Sequence, residues 1–148
     1  TEGKLPDWGS VAGAMWCRGK LQTSAQNVTK IVIGEGITAI GKNNFCKGGN
    51  KLFENLTEVD VPSTLSEIGF GAFQNDTKLV KFDFNNIKSI GDVAFAGTGF
   101  TDVTIPLDGV ILGSNAFYNC KNLSSVSIGD SELSDGIFPD CNSLADIN

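Results

Sequence analysis

The sequence contains no histidine among its 148 residues. Histidine is the usual general base and the commonest metal ligand near neutral pH, so its absence excludes serine–histidine chemistry and histidine-based zinc sites. No Cys-x-x-Cys spacing occurs either, so the cysteines that a zinc ribbon or a thioredoxin-like site requires are absent. We therefore expect none of these kinds of catalytic or metal site, and we expect the chain to hold no resident metal or cofactor.

Basic clusters and long apolar runs are also missing. Eleven Lys and Arg stand against 17 Asp and Glu, a net charge of −6, and the basic residues are scattered. This distribution argues against nucleic acid as a partner. No stretch approaches the roughly 18 uninterrupted apolar residues of a membrane span, so we expect no direct membrane insertion. The first residues lack the pattern of a signal peptide, and we expect that one has been removed from a secreted chain.

What the sequence does have is a repeat, seen most clearly in IGDVAFAGTGFTDVTIP, residues 90–106. An apolar residue, usually followed by Gly, precedes a phenylalanine by five positions in five copies. The phenylalanines are separated by 28, 22, 22 and 21 residues: Phe45, Phe73, Phe95, Phe117 and Phe138. A period in the twenties predicts a solenoid, in which each coil buries its apolar face against its neighbours.

Each coil is predicted to contain one short strand and one tight turn. In Val103-Thr104-Ile105 the two apolar side chains point to one side of a strand and the threonine points to the other. The Gly after the opening apolar residue suits a tight turn or a close approach of the backbone to a neighbouring coil. The Ala-Phe pairs predict a helical or 3₁₀ turn on the opposite side, with the Phe filling the interior. The expected fold is a right-handed stack of coils with parallel strands.

The pattern I-G-x-x-A-F-x-x-C-x-x-L-x-x-V-x-I-P resembles the BspA-type leucine-rich repeats over about residues 28–148. One departure is that no asparagine follows the strand, since Thr64, Ile87 and Asp108 occupy that place, so the turn must be stabilised differently. The resemblance implies a protein displayed on the surface of a cell, where relatives bind host proteins or other cells.

The whole chain, 1–148, is predicted to be a single solenoid domain. Residues 1–27 form an N-terminal cap with a degenerate repeat, in which Trp16 takes the place of a Phe, and residues 28–148 form about five repeats, the last incomplete. The first two coils carry extra polar residues at 18–27 and 47–55, which we expect to form loops or a short extra turn. The end near Asn148 has no capping sequence, so we expect a continuation of the chain, an open end or self-association there.

The four cysteines fall into two pairs at equivalent places in neighbouring coils. Such positions lie about 4.8 Å apart, which is within disulfide range. We predict a disulfide between Cys17 and Cys46, while Cys120 and Cys141 form either a disulfide or a reduced, buried ladder. Four Asn-x-Ser/Thr sequons, at Asn27, Asn55, Asn75 and Asn122, indicate either glycosylation or a residue that recurs because the coil recurs.

The outward face of the strands is the candidate binding surface, and two rows of side chains cross it. The charges of the first row alternate in sign, so neighbouring side chains are expected to neutralise each other. In the second row, Asp60 and Asp83 are expected to be neighbours that repel each other and attract a cationic partner or calcium. The alternative is that water and nearby Lys81 screen this pair. The candidate residues are Lys30, Glu58, Asp60, Lys81, Asp83, Asp102, Thr104, Ser125 and Ser127.

These features favour a non-catalytic interaction or adhesion module of a secreted or cell-surface protein. The expected ligand is another protein or a cell-surface or matrix glycoconjugate. The alternative is a structural spacer or surface coat that has no specific ligand. An open sheet lacks the cleft that two catalytic carboxylates require, which argues against enzymatic activity.

Overall fold

The computed structural model describes residues 3–4, 25–47, 50–51, 53–106, 108–130 and 136–147. Its regular elements are short strands: β1 (Gly3–Lys4), β2 (Lys30–Val32), β3 (Ile37–Ile40), β4 (Cys46–Lys47), β5 (Asn50–Lys51), β6 (Glu58–Asp60), β7 (Glu67–Ile68), β8 (Lys81–Phe82), β9 (Ser89–Ile90), β10 (Asp102–Ile105), β11 (Ile111–Leu112), β12 (Ser125–Ile128) and β13 (Asp146–Ile147).

The coils stack as a leucine-rich-repeat solenoid, as the period predicts. The apolar-x-apolar strands form what we call the first sheet, which consists of two parallel groups, β2-β6-β8 and β10-β12-β13. A second parallel sheet, β1-β3-β7-β9-β11, contains the opening apolar residues of four repeats, Ile40, Ile68, Ile90 and Leu112. The expectation of one strand per coil was therefore incomplete. The second strands are mostly two residues long, too short to show an alternating pattern in the sequence.

The Ala-Phe turn forms the third side of each coil, and it is also bonded to the next coil. In the coil around Phe73, the amides of Ala72, Gln74 and Asp76 donate to carbonyls three residues earlier. The alternate amides of Gly71, Phe73 and Asn75 donate to the following coil. The predicted 3₁₀-like turn is thus present, but alternate donors point along the stack, so all three sides of the coil carry inter-coil hydrogen bonds.

Two backbone positions in this turn adopt a left-handed conformation, one two residues before the Phe and one two residues after it. The first position holds Asn43, Gly71, Val93, Asn115 and Gly136, and the second holds Asn75, Gly97, Asn119 and Asp140. Gly, Asn and Asp tolerate positive φ, whereas a β-branched residue does so at a cost. Val93, at φ 50°, is therefore the strained member of the series.

The five phenylalanines form a continuous column of rings through the interior. Successive centroids lie 4.9, 5.2, 5.5 and 5.4 Å apart, and the ring planes are within 18° of parallel. The strand residues Phe82 and Phe84, and the anchor Phe100, contact this column through ring edges. The repeat phenylalanines therefore belong to the core, as predicted, whereas Phe70 and Tyr118 are exposed.

The glycine after the opening apolar residue is required by close approach rather than by a left-handed turn. A Cβ placed on Gly69 or Gly91 would lie 2.7 Å from backbone atoms of the preceding coil, and on Gly113 it would lie closer still. The missing asparagine is replaced by other inter-coil bonds. The hydroxyl of Thr64 donates to the carbonyl of Ile37 at 2.9 Å, and Asp108 accepts the amide of Asp130 at 2.8 Å.

The extra residues of the second coil form a small hairpin, in which β4 and β5 pair antiparallel. This is the short extra element that the sequence allowed at 47–55. Most of the predicted cap, with Trp16 and Cys17, lies outside the described residues. No helix long and apolar enough to span a membrane occurs within the described ranges.

Candidate functional site

The outward side chains of the first sheet form the surface that we call the strand face. Strand alternation places Val103 and Val126 in the core and leaves Asp102, Thr104 and Ser127 exposed. The parallel register aligns Lys30 with Glu58 and Glu58 with Lys81 in one group, and Asp102 with Ser125 and Thr104 with Ser127 in the other. The candidate residues therefore lie on one surface.

Two lysines on this face bind one glutamate. The ammonium groups of Lys30 and Lys81 lie 3.1 and 2.8 Å from Oε1 of Glu58. The hydrogen bond from Lys81, followed by that from Lys30, lowers the pKa of Glu58 to about 2. Lys30 has a raised pKa, mainly because it also bonds Asp60. Across these three strands, the charges of the first row are paired with one another, as expected. Exposed ion pairs of this kind stabilise a protein only slightly.

The carboxylate of Asp60 forms an ion pair with a lysine and does not face Asp83 as an unpaired charge. Its Oδ2 lies 2.6 Å from the ammonium of Lys30, and the strand pairing ends one residue earlier, at Val59 and Phe82. The two aspartates share a groove of about 320 Å³, but the cation that screens Asp60 is Lys30 rather than Lys81. The expected pair of repelling carboxylates therefore needs correction, because one of the two is already neutralised.

The first sheet is interrupted between β8 and β10, while the second sheet is continuous. At each of the other junctions, the two residues after the second apolar anchor donate to one carbonyl of the preceding coil. Examples are Ser124 and Ser125, whose amides donate to Thr101 O at 2.8 and 3.4 Å. The corresponding bonds from Thr101 and Asp102 to Val80 O are absent from the described backbone, and β8 and β10 are not paired.

A one-residue deletion accounts for this interruption. The chain takes five residues from Phe95 to the anchor Phe100, against six from Phe117 to Leu123. The amide of Gly99 donates to Leu79 O at 3.0 Å, and a Cβ at Gly99 would lie 2.5 Å from Thr77 O. The shortened turn bonds tightly to the preceding coil before the strand begins, and the strand that follows does not pair with β8.

A groove of about 260 Å³ lies at this open junction, and we call it the junction groove. It is lined by Val80, Lys81, Phe82, Asp83, Phe84, Asn85, Phe100, Asp102 and Thr104. Its aromatic residues belong to the core, whereas Asp83 and Asp102 are exposed. The groove thus has buried aromatic residues at its base and a polar rim on which Asp83 and Asp102 accompany Lys81. Sequence reasoning missed it, although the shorter step after Phe95 was visible.

The C-terminal cysteine pair is buried in the core. The thiol of Cys120 donates to Phe95 O at 3.3 Å, and that of Cys141 donates to Phe117 O at 3.1 Å. Burial raises the pKa of Cys120 and raises that of Cys141 to about 11. Both are thiols in this structure, and the choice between a reduced ladder and a disulfide stays a prediction.

The structure describes only part of the Cys17–Cys46 pair and of the four sequons. Cys46 is buried, but its predicted partner Cys17 lies outside the described residues, so that disulfide stays a prediction. Among the sequons, Asn55 is engaged: its amide donates to Gln26 O at 2.6 Å, and its oxygen accepts from Lys78 at 2.6 Å. This is a structural use for the recurring asparagine. The described residues contain no group of three or more side chains suited to holding a metal ion.

The stacked coils and the outward strand face define the chain as a leucine-rich-repeat solenoid. The family model of a BspA type leucine rich repeat region (6 copies) matches residues 49–148. The chain therefore belongs to the BspA-type leucine-rich repeat family. A comparison with curated proteins returns no match.

Solved structures of bacterial leucine-rich repeat proteins are similar to this chain. A leucine-rich repeat protein from Eubacterium ventriosum is 29% identical with a TM-score of 0.76, covering 99% of this chain and 37% of its own. The T. pallidum leucine rich repeat protein is 27% identical with a TM-score of 0.71, covering 80% of this chain and 55% of its own. A leucine rich cell surface protein from Faecalibacterium prausnitzii is 25% identical with a TM-score of 0.71, covering 81% and 31%.

This chain therefore spans between about a third and just over half of the length of these proteins. One of these similar proteins is described as a cell surface protein.

Proposed function

We propose that this chain is a non-catalytic recognition module of a secreted or cell-surface protein and that it binds a macromolecular ligand through the strand face. The observation that carries the proposal is that the exposed residues of this face, such as Asp102, Thr104 and Ser127, do not contribute to the core. The period fixes the inward residues and leaves the outward ones open to variation, which is how a repeat scaffold presents a binding surface.

The likeness to a leucine rich cell surface protein supports the proposed location. A surface protein meets proteins and glycoconjugates outside the cell, and these are the ligand classes we expect. The strand face is acidic and polar, with its lysines bonded to Glu58. Such a surface suits a partner that brings positive charge and hydrogen-bond donors.

The test is a binding screen by surface plasmon resonance against a panel of extracellular-matrix proteins and glycans. The decisive variant carries Thr104→Arg and Ser127→Arg, which place bulky cations at two exposed positions of the strand face. Its control carries Thr38→Arg and Ile111→Arg, which make the same change in net charge at two exposed positions of the second sheet. We expect the strand-face variant to lose about a hundredfold in affinity and the control to bind like the parent chain.

Equal binding by all three proteins would contradict recognition through this face. The structural alternative predicts a different result, in which no member of the panel binds and the chain self-assembles as its concentration rises. Analytical ultracentrifugation over a range of concentrations detects that self-assembly, including any association through the C-terminal end.

A further inference from the structure

The junction groove contains backbone groups that the rest of the first sheet pairs. Elsewhere in the described part of this sheet, each new strand begins with a pair of amides bonded to the preceding coil, as Val80 and Lys81 are to Thr57 O at 3.0 and 3.1 Å. At the groove, the amides of Thr101 and Asp102 make no such bond to Val80 O. Exposed and unpaired strand groups are a template for an added extended segment.

The charges around the groove are not balanced within the described residues. Lys81 lines the groove, but its ammonium is bound to Glu58 on the neighbouring strand. Asp83 accepts the amide of Asn85 at 2.9 Å, and Asp102 accepts the hydroxyl of Thr101 at 2.9 Å. These neutral donors orient both carboxylates without neutralising them. No described lysine forms an ion pair with either aspartate.

The junction groove also offers apolar surface to a ligand. Val80, on its rim, is 52% exposed, and Phe82 is only partly buried. A ligand that matches this arrangement has an apolar stem and a cationic, multiply donating head. Arginine fits best, because its methylene stem packs on apolar surface while its planar guanidinium presents five donors to carboxylate and carbonyl oxygens.

We infer that the junction groove is the docking site for an extended, arginine-bearing segment of a partner protein. The arginine head lies between the carboxylates of Asp83 and Asp102, and the segment's backbone bonds the open amides and carbonyl of the junction. This inference rests on the proposed function and names the partner chemistry that the strand face recognises.

The probe is a synthetic peptide about eight residues long, in which arginine alternates with threonine to favour an extended strand. The matched control is the same peptide with citrulline, which keeps the shape of arginine and loses its charge. Fluorescence anisotropy should show binding of one peptide per chain, and the citrulline peptide should bind at least about tenfold more weakly. A lysine peptide should fall between the two, because an ammonium cannot make the bidentate contact.

The protein variants locate the site. Asp83→Asn combined with Asp102→Asn should lower affinity for the arginine peptide by at least about tenfold. Glu35→Gln combined with Glu67→Gln makes the same change in net charge at exposed positions away from the groove, and it should have little effect. The thermal midpoint of each variant confirms that it remains folded.

Three results would overturn the inference: no binding of the arginine peptide at millimolar concentration, equal binding of the citrulline peptide, or equal losses in the groove variant and its control. The last would mean that the acidic chain attracts cations without a specific site. Protein ligands found in the panel screen separate this inference from the proposed function. If they bind equally well to the groove variant, strand-face recognition survives and the arginine site does not. If the peptide binds in the groove but no panel member binds, the groove chemistry stands and the proposed function is contradicted for those partners.

Discussion

Replacing Phe95 by alanine should test the ring column at its centre. Phe95 is 0% exposed, and its ring stacks on Phe73 at 5.2 Å and on Phe117 at 5.5 Å. Three more rings contact it from the strand side. Truncating a buried Phe costs about 3–5 kcal/mol, and the lost aromatic pairs place this position near the upper end, at about 4–5 kcal/mol.

Urea unfolding followed by circular dichroism measures this loss. Phe138 provides the comparison, because it is only partly buried and stacks on one described ring, that of Phe117. Phe138→Ala should cost about 2 kcal/mol, in proportion to its smaller burial. Phe95→Leu, which keeps much of the volume, should cost about 1.5 kcal/mol. If Phe95→Ala costs no more than Phe138→Ala, the column does not stabilise the stack as described.

Three further predictions concern Val93, Asp76 and the Cys17–Cys46 pair. Val93→Asn should raise the free energy of unfolding by about 1 kcal/mol, because asparagine tolerates the left-handed conformation that strains valine. Val93→Thr keeps the β-branch and should not raise it. Chemical denaturation of the two variants measures the difference. Asp76 is buried, and neither of its carboxylate oxygens has a hydrogen-bond partner among the described residues, so burial raises its pKa well above 3.8. Because the folded state holds this proton more tightly, stability falls as pH rises through the raised pKa, so Asp76→Thr should stabilise by about 1–3 kcal/mol at pH 7 and by much less near pH 3. Non-reducing peptide mapping of chain produced under oxidising conditions should find the Cys17–Cys46 disulfide, whose loop closure contributes about 3 kcal/mol, and two unlinked thiols would refute it.

The repeat predicted those parts of the fold that depend on which residues are inside. The spacing of Phe73, Phe95 and Phe117 was sufficient for the ring column, because stacked coils place equivalent residues next to each other. The same reasoning aligned Lys30, Glu58 and Lys81, whose register the structure reproduces. The charge alternation in that row was readable because parallel strands in register leave no freedom in the choice of neighbours.

The sequence did not predict features that depend on backbone geometry. Strands as short as Ser89–Ile90 have no periodicity to detect. The left-handed positions did leave a signal, since Asn43, Gly71 and Asn115 recur two residues before the Phe. The partner of Asp60 depends on how far the Lys30 side chain reaches, which spacing alone does not specify. The open junction follows from a one-residue deletion whose effect on strand pairing appears only in three dimensions.

The open junction is the feature on which the inferred arginine docking site depends, and amide hydrogen exchange measured by NMR tests it without a ligand. The amides of Thr101 and Asp102 should exchange at least about a hundredfold faster than the equivalent amides of Ser124 and Ser125, which are bonded to the preceding coil. Addition of the arginine peptide should slow the exchange of Thr101 and Asp102 specifically. If these two amides are as protected in the unbound chain as those of Ser124 and Ser125, the first sheet is continuous in solution and the junction groove is not the inferred docking site.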